Sequence, residues 1–328
     1  MKTKLIFILL FFAKNAFTQE YINYARTMSE VKELILIDKF KEGVQLFDYK
    51  IFKKYDFIFA QDIFLIAQTA VNAGDIDKAF LYLNKCALQG VPLIVLTDNK
   101  IISQLNKDSR WKVFENKYEQ LFSAYRSNIN LSIRKTIDSL FVVDQLKTKR
   151  INRSFFSSLL GYPSWRSTSK RHAKLIFSIT KKYGYPGEKL IGINTFDGNK
   201  SDSMKMIGNN LPRLSEHKTL AMLLHYFSGP VEGDDKLFYQ NLKSGFMPAE
   251  VYASYNDFMA KFGKKKYKDR FYNEWHSDPN KEKIQEINIR RQLIGLYPYE
   301  TRIALSKRRL KSIQDKTTRD ILNIYLIN

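Results

Sequence analysis

An all-α fold is what this sequence predicts: a short helical array followed by a compact helical domain. Apolar residues recur every three or four positions through most of the 328 residues, the period of a helix with one buried face. Gly, Pro and Asp stand between these runs, where helices stop and start. No run alternates apolar and polar residues at period two, so no half-buried strand is expected. Hydrophobic residues make up 44% of the chain, enough to fill the cores of two modest domains.

Each helix has its own signature. Residues 29–49 place Val31, Leu34, Ile35, Ile37, Phe40, Val44 and Phe47 at helical spacing. Residues 57–73 form a second helix through Ile58, Phe59, Ile63, Ile66, Ala67 and Ala70, broken by Gly74-Asp75. A third holds Ile76, Ala79, Phe80, Leu83 and Ala87. Asp75 suits its N-cap, and Gly90, ahead of Pro92, suits its C-terminal end. This helix–turn–helix, with small residues at Ala67, Gly74, Ala79 and Ala87, resembles one tetratricopeptide-type unit. A lone unit cannot bury its own face. Residues 29–49 before it and 99–125 after it are expected to complete the stack, the latter through Leu105, Trp111, Phe114, Tyr118 and Phe122.

Residues 129–150 read as a long helix, and the domain transition falls near its start. This gives a leader at 1–18, the array at 19–128 and a helical domain at 129–328. Residues 154–169 are expected to be irregular, since they hold Gly161, Pro163 and several serines. A helix at 170–182 is stopped by Tyr183-Gly184-Tyr185-Pro186-Gly187. Residues 190–193 read as extended and 192–210 as a surface loop. Helices resume at 215–227, 234–244, 249–262, 281–294 and from Tyr299 onward.

Lys2 and Lys4 precede an apolar run from Leu5 to Ala13, and Ala16-Phe17-Thr18 precede Gln19. That is the layout of a secretory signal peptide, and the run falls short of the about 20 apolar residues a bilayer span needs. The mature chain is expected to begin near Gln19 and to be exported, periplasmic or secreted, without a membrane span. The lone cysteine, Cys86, excludes an internal disulfide and reads as core filler on an apolar helix face. The chain has 54 Lys+Arg against 33 Asp+Glu, a net charge of +21. From Ile151 onward the balance is 31 to 17, or +14. A field of that sign attracts an anionic glycan or lipopolysaccharide, or is simply solvated surface. No tract has the layout of a nucleic-acid module, so no specific nucleic-acid partner is expected.

Several second-half elements occur in a fixed order. They are Asp144-Gln145, the Tyr183–Gly187 motif leading to Ile191-Gly192, Leu223-Leu224-His225, and Tyr252-Ala253 through Asp257. The last is Asn288-Ile289-Arg290-Arg291-Gln292-Leu293-Ile294-Gly295-Leu296. Together they resemble the helical domain of secreted Bacteroidota proteins known as domain-of-unknown-function family 6624, over about residues 129–310. The resemblance implies a helical fold and export but no reaction. Relatives carry an Arg soon after the Asp-Gln pair, where this chain offers Lys147 or Arg150. They carry Asp-Arg where it has Asp257-Phe258, and Tyr-Gly-Thr-Gln where it has Tyr267-Lys268-Asp269-Arg270.

The resemblance makes His225, at the family's histidine position, the best single candidate for chemistry, with Asp257 and Arg291 as the other polar matches. A His–Asp pair performs general acid–base work, and an arginine fork holds an anionic group. The same three residues would equally tie helices together through hydrogen bonds. His217 and His225 are eight residues apart, too far for the i, i+4 metal pairing, and no H-E-x-x-H occurs. No metal or cofactor is expected. Lys264, Lys265, Lys266 and Lys268, interleaved with aromatics, and Arg308 and Arg309 on the last helix are candidate polyanion contacts. The leading functional expectation is a non-enzymatic envelope binding or scaffold protein with a protein or peptide partner. The alternatives are a hydrolase-like enzyme built on His225, Asp257 and Arg291, and a polyanion-binding module in the basic half.

Overall fold

A computed structural model describes residues 20–152, 155–194, 214, 216–226, 234–262, 271–274 and 281–314, with side chains for all but 155–159, 281–282 and 309–314. Its described elements are all helices, with no strand among them. None is long and apolar enough to cross a membrane. The leader at 1–18 and most of the 192–210 loop lie outside the described residues.

Helix α1 (Glu20–Leu36) starts before the predicted stretch. Tyr21 and Tyr24 anchor that earlier start, with ring centroids 5.2–6.4 Å from one another, Tyr55 and Phe59. The expected single helix over 29–49 is two. At Asp38 the backbone turns left-handed, with φ 58°, and α2 (Phe40–Phe47) sets off in a new direction. Aspartate tolerates that conformation better than most residues. Helix α3 (Ala60–Asn72) is the axle of the first half: 11 of its 13 residues are buried. Its polar groups are satisfied locally. Gln68 and Thr69 donate to the Phe64 and Leu65 carbonyls at 3.1 and 2.8 Å, and Asp62 accepts from the Tyr24 hydroxyl at 2.9 Å. Helix α4 (Ile76–Leu88) opens at Asp75, whose carboxylate accepts the Lys78 N–H at 3.1 Å. Cys86 is fully buried in it as core filler.

After α5 (Leu93–Thr97), the predicted helix over 99–125 is a 3₁₀ turn (Ile102–Lys107) and then α6 (Ser109–Asn128), begun by the Asp108 cap. Trp111, Phe114, Tyr118 and Phe122 are all buried. Helix α7 (Leu131–Ile151) starts at the Asn130 cap. Of residues 154–169, which the sequence presented as irregular, the described 155–169 lie within helix α8 (Phe155–Tyr183). Pro163 removes one backbone bond, but the flanking turns pack on α7. Trp165 Nε1 donates to Thr148 Oγ1 at 3.0 Å, and Trp165, Thr168, Ser169 and His172 are buried. Tertiary packing decides the element, not local propensity. Of residues 190–193, expected as extended, Leu190 and Ile191 belong to a single turn, α9 (Glu188–Ile191), and Gly192 and Ile193 lie beyond it. Helices α10 (Lys218–Leu224), α11 (Asp234–Lys243), α12 (Ala249–Phe262), α13 (Lys281–Leu293) and α14 (Tyr299–Gln314) complete the chain.

Two apolar cores result, one around α3 and one around Phe177, Phe238, Tyr185 and Tyr255. The segments bearing them meet along a polar seam. The fully buried Glu188 carboxylate accepts the Ala60 N–H at 2.5 Å. Ser29 Oγ donates to the Gly295 carbonyl at 2.8 Å, and Arg308 Nη1 donates to the Ile35 and Leu36 carbonyls at 3.1 and 2.7 Å. Gly295 itself sits at φ +83°, where a Cβ would press on the Ile22 carbonyl oxygen and lie 2.8 Å from the Arg26 nitrogen. Gly295→Ala is therefore expected to cost at least about 2 kcal/mol, the left-handed penalty plus a backbone clash. Urea unfolding measures it, and a loss below half that would show that α1 and α13 can separate freely.

Candidate active site

Helices α7 and α8 pack side by side, and α10 ends against them. Asp144 projects from the buried face of α7 and is 1% exposed. His225 is the residue that closes α10. Its Nδ1 lies 2.7 Å from Asp144 Oδ2. Opposite a carboxylate, Nδ1 carries the hydrogen, which leaves the Nε2 lone pair as the reactive edge. The imidazole is 24% exposed while its carboxylate is sealed. Trp165 lies against the ring at 5.6 Å between centroids.

The surroundings polarise this pair. Gln145 Nε2 also donates to Asp144 Oδ2, at 3.0 Å. Asp144 Oδ1 is buried without a hydrogen-bond partner. One turn along α7, the Lys147 ammonium donates to Ser164 Oγ at 3.0 Å and Thr168 Oγ1 at 2.6 Å, both on α8. His172, two turns beyond Trp165, is buried with Nδ1 unpaired. Burial holds its imidazole below the usual histidine range, against the pull of Asp144. The imidazole from α10 thus rests on a hairpin that also carries a cation and two hydroxyls.

Asp257 and Arg291 occupy a different frame. Asp257 accepts the backbone N–H groups of Tyr272, at 2.5 Å, and Glu274. Arg291, fully buried, donates to the Tyr297 and Tyr272 carbonyls at 2.7 and 3.0 Å and pairs with Glu274 at 2.6 Å. Both side chains pin residues 271–274, between α12 and α13, and the carboxylate bonded to His225 is that of Asp144. His217 Nδ1 meets the Asn194 amide. Arg308 is engaged at the C-terminus of α1, also pairing with Asp38 at 2.8 Å. Lys264, Lys265, Lys266, Lys268 and the Arg309 side chain lie outside the described residues, as does His276. No three metal-ligating side chains converge among the described residues.

His225 and Asp144 each stand within the ordered motifs, but nothing in the sequence joins them across 81 residues. Ser164 and Thr168 escape notice because their segment looks irregular. Comparison with protein-family models, curated proteins and solved structures gives no match to this chain.

Proposed function

We propose that the protein is an exported, hydrolase-like enzyme whose acid–base residue is His225. The observation that carries this reading is the His225–Asp144 pair: a buried carboxylate orients a partly exposed imidazole at 2.7 Å. In the proposed reaction Nε2 takes a proton from water as the oxygen attacks an electrophilic centre. The resulting imidazolium, stabilised by Asp144, returns the proton to the leaving group. Lys147, between the two hydroxyls, supplies a positive charge for a developing oxyanion. The signal-peptide layout of residues 1–18 supports export.

His225→Ala and Asp144→Asn are each expected to lower turnover of a panel of aryl esters and phosphoesters by about 10²–10⁴-fold. His225→Ala removes a partner of the sealed Asp144 carboxylate and should lower the melting temperature by several degrees, so turnover is compared where circular dichroism shows the variant folded. Turnover equal to the parent in both variants would remove His225 from the chemistry.

A second reading, a binding protein for an envelope protein or peptide, is favoured by one feature. An open groove of about 450 Å³ lies beside the α3–α4 turn, lined by Lys41, Gln45, Asp75, Asp77 and Lys78 among others. A partner seated there would be lost with Lys41→Glu and Lys78→Glu and would tolerate His225→Ala. The burial of α3 on nearly every side argues against an open concave array face at that helix.

A further inference from the structure

The α7–α8 hairpin, residues 131–183, holds 12 Lys and Arg against 2 Asp and Glu, a net +10 in 53 residues. Helix α8 has no acidic residue at all. Its side facing away from α7 presents Arg166, Lys170, Arg171, Lys174, Lys181 and Lys182. Lys170, Arg171 and Lys174 make no ion pair among the described residues. A solvated, structurally neutral helix face would carry both signs and few large apolar groups. This one carries Leu160, 80% exposed, and Leu175, 40% exposed, at the same helical spacing as Arg171 and Lys182. Val143 and Leu146 on α7 and Tyr162 on α8 are also exposed.

We infer that the outer face of the α7–α8 hairpin docks on the surface of an anionic phospholipid bilayer. Two properties select this occupant. The uncompensated positive charge complements anionic headgroups. The exposed leucines and tyrosine want an acyl-chain boundary, which a soluble polyanion does not offer. Long lysine and arginine side chains reach headgroups while their stems lie along the apolar layer. The hairpin lies on the bilayer rather than across it, since no described helix is apolar enough to span. This surface is separate from the basic residues at 264–268. The inference stands apart from the acid–base reading.

Vesicle co-sedimentation tests it, using the chain from Gln19 onward so that the apolar leader contributes nothing. The vesicles are equal parts phosphatidylglycerol and phosphatidylcholine, or phosphatidylcholine alone. The parent should bind the anionic vesicles and leave the neutral ones in the supernatant at moderate salt. The triple variant K170Q/R171Q/K174Q should bind the anionic vesicles about a hundredfold more weakly, the effect of three charges at such a surface. Leu160→Ser should lose about tenfold. Both substitutions are on exposed positions, and unchanged circular dichroism spectra confirm that the variants fold. Equal binding to the two vesicle types overturns the inference, as does full binding by the triple variant. Binding to soluble dextran sulfate as tight as to vesicles, with Leu160→Ser indifferent, also overturns it and assigns the face to a polyanion.

Discussion

Replacing Arg291 with methionine is expected to destabilise the protein by about 3–5 kcal/mol, the cost of removing one member of a buried ionic cluster. Arg291 is the largest fully buried side chain among the described residues, and it bonds two carbonyls and a carboxylate. Methionine fills much of the volume but leaves the Tyr272 and Tyr297 carbonyls unpaired and removes one of the cations beside Glu274. Arg302 also pairs with Glu274, at 3.2 Å, and softens the loss. Arg291→Lys should recover little, because a single ammonium cannot span three acceptors set for a planar fork. Chemical denaturation of both variants measures this. A loss below about 1 kcal/mol would mean that residues 271–274 are held by other contacts.

The second large effect is a dependence of stability on pH centred on Glu216. Its carboxyl is pushed up to about 7 by burial, although Lys218 and two N–H donors pull the other way. Glu188, fully buried at the seam, is raised in the same direction and for the same first reason. Below the ordinary value of 4.5 both folded and unfolded chains hold the Glu216 proton. Between 4.5 and about 7 only the folded chain holds it. Unfolding then releases a proton, and stability falls as pH rises, by roughly 3 kcal/mol once both states are ionised. Glu216→Gln keeps the acceptor that caps α10, where Glu216 Oε1 takes the Lys218 and Thr219 N–H groups at 2.7 and 3.3 Å. The variant should therefore match the parent near pH 4.5 and exceed it at pH 8. His172 works in the opposite sense: depressed by burial, it resists charging in the fold and costs stability as pH falls below its ordinary 6.5. It is present in both proteins and cancels in the comparison. Thermal melts across this range decide the matter. Identical slopes for parent and Glu216→Gln would remove Glu216 as the source.

Helix identity was legible wherever a helix has one apolar stripe. Residues of α4 show it plainly, with Asp75 at the cap; α6 shows its stripe, but the expected helix ran through Asp108, where α6 is capped. Legibility failed where tertiary contacts decide. Nothing local announces that Asp38 will adopt a left-handed conformation or that Pro163 will sit inside a helix. The candidate site divides the same way. A histidine, an aspartate and an arginine can each be noted along a chain. Which carboxylate meets His225 is fixed by how α10 lands on α7, 81 residues away. Asp257, closer in sequence to His225, is turned instead onto the backbone of residues 272 and 274.

The clasp between the two ends of the chain also governs the order in which the molecule can assemble. Ser29 and Gly295 are 266 residues apart, Leu36 and Arg308 are 272 apart, and Leu305 fills a place in the core around α3. A chain synthesised from its N-terminus presents α1 and α3 first, long before the residues that finish their surroundings arrive. The first core therefore waits for the last helix. Until then the inward side of α1 is exposed, and contacts of such long range form slowly because the intervening loop must first be closed. Synthesis thus hands over a chain whose leading helices need shelter until α14 emerges.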